Sequence, residues 1–270
     1  MIEKLRIGGA QMPCTTDLAK NVTSIKASLD WAAENKVDYL LTPEGALTGY
    51  IPDFDTRGGR TFDDVLAAEQ ELIDYCREKQ TGLLLGTMYI DDGLRRNQIR
   101  AFNLAGTLIG TANKTAVVGD EKVVPATDGP QFIQLHIPHT TTLVKTAGLI
   151  CNDMWGGGYH VDCLANKARL QGAQLIVHAT NAWRGFNQTE DDVLNDWTNA
   201  NLRFMSYFTT KAIITVDNSI MHNGVEYDGY TASESGVLVQ GNWKTQVPRT
   251  GAQNFYYDFN FVYGQLMIEN

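Results

Sequence analysis

The sequence predicts an α/β layered protein containing a mixed sheet, and three observations carry that expectation. Short apolar runs bounded by loop residues alternate with apolar stripes at helical spacing. Stretches of alternating apolar and polar residues around glycine read as inserted hairpins. No Pro- or Ser-rich linker, low-complexity tract or short repeat interrupts the 270 residues, so one domain over 1–270 is expected.

Residues 5–12 form the first predicted strand, a buried apolar run. Leu18, Val22, Ile25, Leu29 and Ala32 then recur at steps of three and four, the stripe of an amphipathic helix, with Thr15 or Thr16 placed to cap its first turn. A second strand at 39–41 runs straight into Pro43-Glu44-Gly45. Val65, Leu66, Leu72, Ile73 and Cys76 share an apolar helix face, and 82–90 is again an apolar strand. Residues 97–104 and 107–111 flank Ala105-Gly106 as a hairpin. The second half repeats the rhythm. A strand over 142–150 ends at Cys151, Gly156-Gly157-Gly158 leads into a helix near 161–171, and a strand over 174–179, a helix over 191–207 and a strand over 211–216 follow. The tail, 231–261, alternates around Ser235-Gly236 and Gly241-Asn242, as hairpins do.

Charge and composition exclude several classes. With 22 Lys+Arg against 31 Asp+Glu the formal net charge is −9, the wrong sign for a surface that neutralises phosphate. Trp155, Trp183, Tyr227 and Tyr230 lack basic partners in a stripe, so no nucleic-acid platform is read. At 43% hydrophobic and 20% charged residues the chain is globular rather than disordered. No run of 18 apolar residues suits a membrane span, and residues 1–12 carry Glu3, Lys4 and Arg6 in place of a leader's apolar centre. A cytoplasmic setting with reduced thiols is expected. The four cysteines, at 14, 76, 151 and 163, contain no Cys-x-x-Cys of the zinc-ribbon or redox kind, which leaves one of them free to be a nucleophile.

Three segments put reactive side chains just past predicted strands, where α/β proteins build their sites. Pro and Gly around Glu44 fix an abrupt strand exit and hold its carboxylate on rigid backbone. Lys114 ends the hairpin strand, ahead of Asp120 and Glu121; beside carboxylates such a lysine stays charged and can stabilise an oxyanion. Leu149-Ile150-Cys151-Asn152-Asp153-Met154-Trp155 places a cysteine where a buried strand meets a Gly-rich turn, an elbow that leaves the Asn152 N–H aimed at a bound oxygen. Each taken alone has a bland reading: a solvated loop Glu, a surface Lys, a buried structural Cys. Cys14, Cys76 and Cys163 are read as such fillers.

Together the three segments resemble the nitrilase superfamily of carbon–nitrogen hydrolases, whose signature is a Glu–Lys–Cys triad. Glu44, Lys114 and Cys151 follow the family's order, with Thr48-Gly49-Tyr50 after the Glu, Gly172-Ala173-Gln174-Leu175-Ile176 after the Cys helix, and a late Asp217-Asn218-Ser219. The resemblance covers most of the chain. It implies a four-layer αββα sandwich that pairs through helices beside the active site into a homodimer or larger homo-oligomer. It also implies chemistry without metal or cofactor, and an accessory carboxylate, for which Glu121 is the candidate with Asp120 as its rival. The loop between Lys114 and Glu121 lacks the His-Leu-Pro string of many members.

The chemistry expected is attack of the Cys151 thiolate on a small amide, with Glu44 taking and returning the proton and Lys114 and the Asn152 N–H holding the oxyanion. A thioester then reacts with water, releasing ammonia or an amine. Lys114→Ala and Cys151→Ala are both expected to abolish turnover in a folded protein. No Arg follows the nucleophile at the place where members acting on carboxylated substrates carry one; Trp155 stands there instead, with Arg184 the remaining cation. Tyr50, Asn152, Trp155, Asn181 and Trp183 are the substrate-binding candidates. Nitriles and N-carbamoyl amines are the alternative substrates on the same triad.

Other readings have weaker support. A Cys–His hydrolase would pair Cys151 with His160 or His178, but His178 lies inside an apolar strand as a satisfied core histidine. His136 and His139 flank Pro138, which breaks any helix that would align them on a metal. Gly156-Gly157-Gly158 lacks the Gly-Lys-Ser/Thr of a phosphate cradle. Outside the class, Asp217, Asn218 and His222 leave a metal-dependent phosphoesterase open, and a non-catalytic binding protein on the same fold is the other rival.

Overall fold

The computed structural model describes residues 2–49, 61–117, 122–127, 129–155, 163–182, 188–209, 211–219, 231 and 233–267. In chain order they form β1 (Ile2–Gln11), α1 (Leu18–Glu34), β2 (Tyr39–Leu41), α2 (Phe62–Lys79), β3 (Gly82–Asp91), β4 (Leu94–Phe102), β5 (Leu108–Asn113), β6 (Gln131–His136), β7 (Leu143–Ile150), α3 (Leu164–Leu170), β8 (Leu175–Ala179), α4 (Gln188–Thr209), β9 (Ala212–Val216), β10 (Gly236–Val239), β11 (Asn242–Gln246), β12 (Gln253–Val262) and β13 (Gln265–Leu266).

These strands make two sheets, ordered β13-β12-β1-β2-β3-β4-β5 and β11-β10-β9-β8-β7-β6. Each is mixed and each is built alike. Parallel β1, β2 and β3 form the middle of the first, and parallel β7, β8 and β9 the middle of the second, with antiparallel strands outside them. The period-2 alternation of each strand sorts its residues between two layers. Ile7, Leu41 and Leu84 join Leu175, Val177 and Ile214 in the core between the sheets. Leu40, Leu83 and Leu85 turn the other way, onto Val22, Ile25 and Leu29 of α1 and Val65 and Leu72 of α2. On the far side, Leu149, Ile176 and Ile213 meet Leu164 of α3 and Leu202 of α4. The result is the four-layer αββα sandwich that the resemblance implied.

Several local expectations change. The residues suggested one mixed sheet; there are two, and β6, which the apolar pattern did not reveal, forms the edge of the second. The cap of α1 is Asp17 rather than Thr15 or Thr16, because its carboxylate reaches the free N–H groups of Ala19 and Lys20. Ser235-Gly236 is no turn: Gly236 pairs with Thr215 and Gln246 inside the ladder. The chain reverses at Gln240-Gly241, where both residues have positive φ (51° and 76°), as a tight two-residue hairpin demands. A second such hairpin at Tyr263-Gly264 joins β12 to β13. Cys163 sits at the N-cap of α3 instead of inside the helix.

The two sheets meet at one edge. The parallel strands β1, β2, β7, β8 and β9 all discharge their C-terminal ends towards one side, and there the two sheets are stitched together. Met12, just past β1, bridges Asn218, just past β9, and its carbonyl accepts from the Ser219 N–H at 3.0 Å.

Candidate active site

Glu44 follows β2 by three residues, in a turn that packs against β3. Gly86 makes that approach possible, since a Cβ there would run into the carbonyl of Pro43. Gly45, at φ 68°, turns the chain away immediately afterwards. The carboxylate is buried and held on every side. Its Oε1 accepts from Lys114 Nζ at 2.8 Å and from Asn97 Nδ2 at 2.7 Å, while Oε2 accepts from the Asn181 N–H at 3.0 Å. Asn181 Nδ2 also donates to the Glu44 carbonyl at 3.3 Å, and Asn181 Oδ1 accepts from Asn218 Nδ2.

Lys114 lies one residue beyond β5. Its N–H donates to the Asn97 carbonyl at 2.8 Å and its own carbonyl accepts from Ala126 at 2.9 Å, so the backbone is fixed on both sides. The side chains of Lys114 and Glu44 are 1% and 0% exposed. Burial by itself would pull the lysine pKa down; the charge of Glu44 and its hydrogen bond, with a smaller contribution from Asp153, outweigh it and hold the pKa above the ordinary value. Lys114 is therefore an ammonium locked inside the protein. Lys114→Ala would strand a buried carboxylate, at a cost of about 3–5 kcal/mol, so the loss of turnover expected of it should come with a loss of stability.

Cys151 opens a single 3-10 turn, Cys151–Asp153, directly after β7. Its φ is 49°, left-handed backbone that costs a residue with a Cβ about 1–2 kcal/mol. Burial is the main cause pushing its thiol up to about 12, and the Glu44 charge adds to it; Lys114 and the hydroxyl of Thr180 pull the other way. The resting group is a neutral thiol that needs a base. Among the described residues the Asn152 N–H donates to no carbonyl outside its own turn.

Asp153, which sequence reasoning passed over, braces the elbow. Oδ2 accepts from the Ile150 N–H at 3.0 Å, and Oδ1 from Thr115 and Ala116 at 2.9 and 2.6 Å. One carboxylate thus ties the cysteine turn to the residues after Lys114. Burial pushes its pKa up to about 6, against the three N–H donors and Lys114. Asn97, also missed, comes beside Lys114 only through the β4–β5 register, which a bulge between Ala101 and Phe102 shifts by one residue. Its Oδ1 and that of Asn218 are buried acceptors without a donor among the described residues.

The structure thus brings Glu44, Lys114 and Cys151 within electrostatic reach of one another and places Asn181 beside Glu44. Trp155 sits behind the elbow in the apolar layer under α3 and α4; its indole N–H donates to Asn152 Oδ1 at 2.9 Å. Tyr50, Glu121 with Asp120, Trp183, Arg184, Gly156-Gly157-Gly158, His160 and His222 lie outside the described residues. His136 ends β6 and His139 lies in the following turn, and among the described residues no three His, Cys, Asp or Glu side chains gather as a metal set.

A four-layer sandwich whose two sheets contribute a buried acid–ammonium pair and a cysteine elbow at one shared edge defines a class, and comparison with known proteins agrees. The carbon-nitrogen hydrolase family profile matches residues 6–237. An amidase from Nesterenkonia sp. is similar in structure, with a TM-score of 0.75 at 18% identity over 95% of this chain and 90% of that one. A mutant of that amidase showing the result of Michael addition of acrylamide at its active-site cysteine gives 0.74 at 17%, over 93% and 92%. Another mutant, in complex with butyramide, gives 0.75 at 17%, over 95% and 91%. Among curated proteins none matches the chain. The chain belongs to the carbon–nitrogen hydrolase family and is a hydrolase by class.

Proposed function

We propose that this hydrolase cleaves small linear amides through a thioester on Cys151, with residues 1–270 working as one domain. The observation that carries the proposal is the fully buried Lys114–Glu44 pair beside a neutral thiol on a strained elbow. A pair so deeply buried is a poor way to gain stability, but it is what general-base thiol chemistry needs. Glu44 takes the Sγ proton as sulfur bonds to the amide carbon, and the carbonyl electrons move onto oxygen. Lys114 Nζ and the Asn152 N–H stabilise that oxyanion. As the C–N bond breaks, Glu44 returns the proton to nitrogen and ammonia or an amine leaves. Water then adds to the thioester with Glu44 again as base, and the carboxylic acid departs.

Asn97 and Asn181 hold the Glu44 carboxylate in line. Tyr50, Asn152 and Trp183 complete our substrate-binding set, with Trp155, expected as a substrate wall, instead supporting Asn152 from the apolar layer behind it, and Glu121 is the accessory carboxylate; the mechanism invokes no metal or cofactor. Four cysteines without disulfides fit a reducing, cytoplasmic setting, and among the described residues no helix is long and apolar enough to cross a membrane. The exposed stripe of α4, with Val193, Phe204, Tyr207 and Phe208, is the face through which we propose that two copies pair.

A panel of amides, N-carbamoyl amines and nitriles assayed for ammonia, with mass spectrometry of the quenched enzyme, tests the reading. Turnover of short amides with an acyl mass on Cys151 is expected. Preference for nitriles would move the substrate assignment within the family, and an acyl mass on Cys14, Cys76 or Cys163 would refute the site.

A further inference from the structure

We propose that His178 is a positioning residue that aims the oxyanion-binding N–H of Asn152, acting through the carbonyl of Cys151. The inference rests on the reading of Cys151 as nucleophile, and it gives a task to a histidine that the triad leaves out.

His178 is fully buried in β8, among apolar neighbours. Sheet register places it beside Leu149 of β7 and Thr215 of β9. Directly paired residues of neighbouring strands point to one face, and Leu149 marks that face as the one under α3 and α4. Cys151 lies two residues beyond Leu149, where the strand gives way to the elbow. The imidazole spans the gap: Nε2 lies 3.1 Å from the Cys151 carbonyl oxygen and Nδ1 lies 2.8 Å from Thr215 Oγ1. A carbonyl only accepts, so Nε2 carries the proton, and Nδ1 accepts from the Thr215 hydroxyl. The ring's edge-to-face contact with Trp155, centroids 5.6 Å apart, fixes its plane. Burial lowers its pKa to about 4, which keeps the ring neutral and this tautomer in place.

The consequence comes from peptide geometry. The Cys151 carbonyl and the Asn152 N–H belong to one planar trans peptide and point in opposite directions. His178 Nε2 and the Met154 N–H, the latter also at 3.1 Å, grip the carbonyl from behind. Ahead of it, the Asn152 N–H keeps its direction towards the site. Cys151 sits at positive φ without being glycine, so this peptide plane would rotate if the grip were lost. An N–H turned away from the developing oxyanion stabilises nothing.

The test separates reactions that need an oxyanion site from one that does not. Alkylation of Cys151 by iodoacetamide forms an S–C bond as iodide leaves and builds no oxyanion; amide hydrolysis does build one. His178→Phe keeps the ring and its contact with Trp155 but removes the donor. It should lower kcat by about 100-fold with KM changed less than about threefold, while alkylation stays within about threefold of wild type. His178→Gln, which restores an N–H donor, should recover most of that loss, and Thr215→Val, which removes the Nδ1 partner, should show a weaker form of it. In the wild-type enzyme, 15N NMR of His178 should show a protonated Nε2 and an unprotonated Nδ1 near neutral pH, with the signal identified by its loss in His178→Gln. Unchanged turnover in His178→Phe, a parallel fall of alkylation and hydrolysis, or a protonated Nδ1 overturns the proposal. If His178→Phe does not fold, the wild-type spectrum and the kcat split in His178→Gln and Thr215→Val decide. Cys151→Ala runs alongside: retained turnover there sinks the nucleophile reading itself, whereas a dead Cys151→Ala beside a fully active His178→Phe sinks only the role of His178.

Discussion

The two sheets deliver their reactive groups to the shared edge by opposite physical means. The first sheet supplies Glu44 and Lys114 on relaxed backbone and immobilises them electrostatically, with the ion pair, Asn97 and Asn181 satisfying the carboxylate. The second supplies Cys151 on strained backbone at φ 49° and immobilises it sterically and through its main chain, with Met154, His178 and Asp153 around the turn. The difference suits the chemistry we propose for each. A proton carrier has to keep its charge in a dry place, so it needs partners. A nucleophile has to keep an unshared electron pair available, so its support must come from atoms other than sulfur.

The largest effect tests the second sheet. Cys151→Ala should abolish ammonia release and leave the melting temperature within a few degrees of wild type, because the main-chain hydrogen bonds that hold the elbow do not use the sulfur. Appreciable turnover in that variant would end the comparison at once. On the first sheet activity and stability should fall together. Lys114→Ala leaves Glu44 charged, buried and short of its cation, a loss of about 3–5 kcal/mol, or roughly 10 °C in melting temperature for a chain of this size. The double variant Glu44→Gln, Lys114→Met removes both charges and should regain most of the stability with no activity. A double variant as unstable as the single one would show that the pair holds the fold rather than serving the reaction.

This asymmetry also explains what could be read from the sequence. Short strings with backbone consequences were legible: Pro43-Glu44-Gly45 announced a rigid exit, and Ile150-Cys151-Asn152 an elbow. The strand and helix periods gave most elements, and the resemblance gave the second sheet that periodicity alone merged with the first. Long-range pairings were hidden. Asn97 meets Glu44 across 53 positions, and the backbone N–H of Asn181 meets it across 137; neither leaves a local pattern. His178 read as a satisfied core histidine, and it is satisfied, but only the fold reveals that its partner is the carbonyl of Cys151. Asp153 was in plain view two residues after Cys151, and its role stayed hidden because two of its three donors come from the other sheet's loop.

Asp153 is where the two regions are coupled, and it predicts a pH effect of moderate size. Its folded pKa of about 6 lies above the ordinary carboxyl value of 3.8, chiefly through burial. The neutral form is therefore favoured by folding: that stabilising contribution is complete below about pH 4 and is lost as pH rises through about 6, on the order of 3 kcal/mol in all. Activity should run the other way, because the ionised carboxylate is the better acceptor for the N–H groups of Ile150, Thr115 and Ala116. We expect kcat of the wild type to fall as pH drops below about 6. Asp153→Asn should lose about tenfold in kcat and lack that limb, and the gap in stability between the two proteins should shift between pH 4 and 6. Identical acid limbs would assign the titration elsewhere and leave Asp153 as a brace only.

The outer layers extend the contrast and give the smallest effect. Over the first sheet, α1 and α2 present a charged surface, with Lys26–Glu71, Lys79–Asp30 and Arg77–Asp74 pairs that are worth little to stability but keep that face wet. Over the second, α4 exposes Phe204 and Phe208 as a stacked pair, with Tyr207 70% exposed beside them, a costly face for a monomer to leave in water. Beneath the same helix Trp197 meets Trp155 edge to face, centroids 5.0 Å apart, and Trp155 in turn holds Asn152 and His178. If α4 is the pairing face, the nucleophile's support is finished by assembly while the acid–ammonium pair is independent of it. Phe204→Glu with Tyr207→Glu should then convert a dimer or larger oligomer to a monomer in size-exclusion chromatography with light scattering. Turnover should drop only a few-fold, with the iodoacetamide rate and the acid limb unchanged. A monomeric wild type, or a variant that still pairs, would remove α4 from the interface.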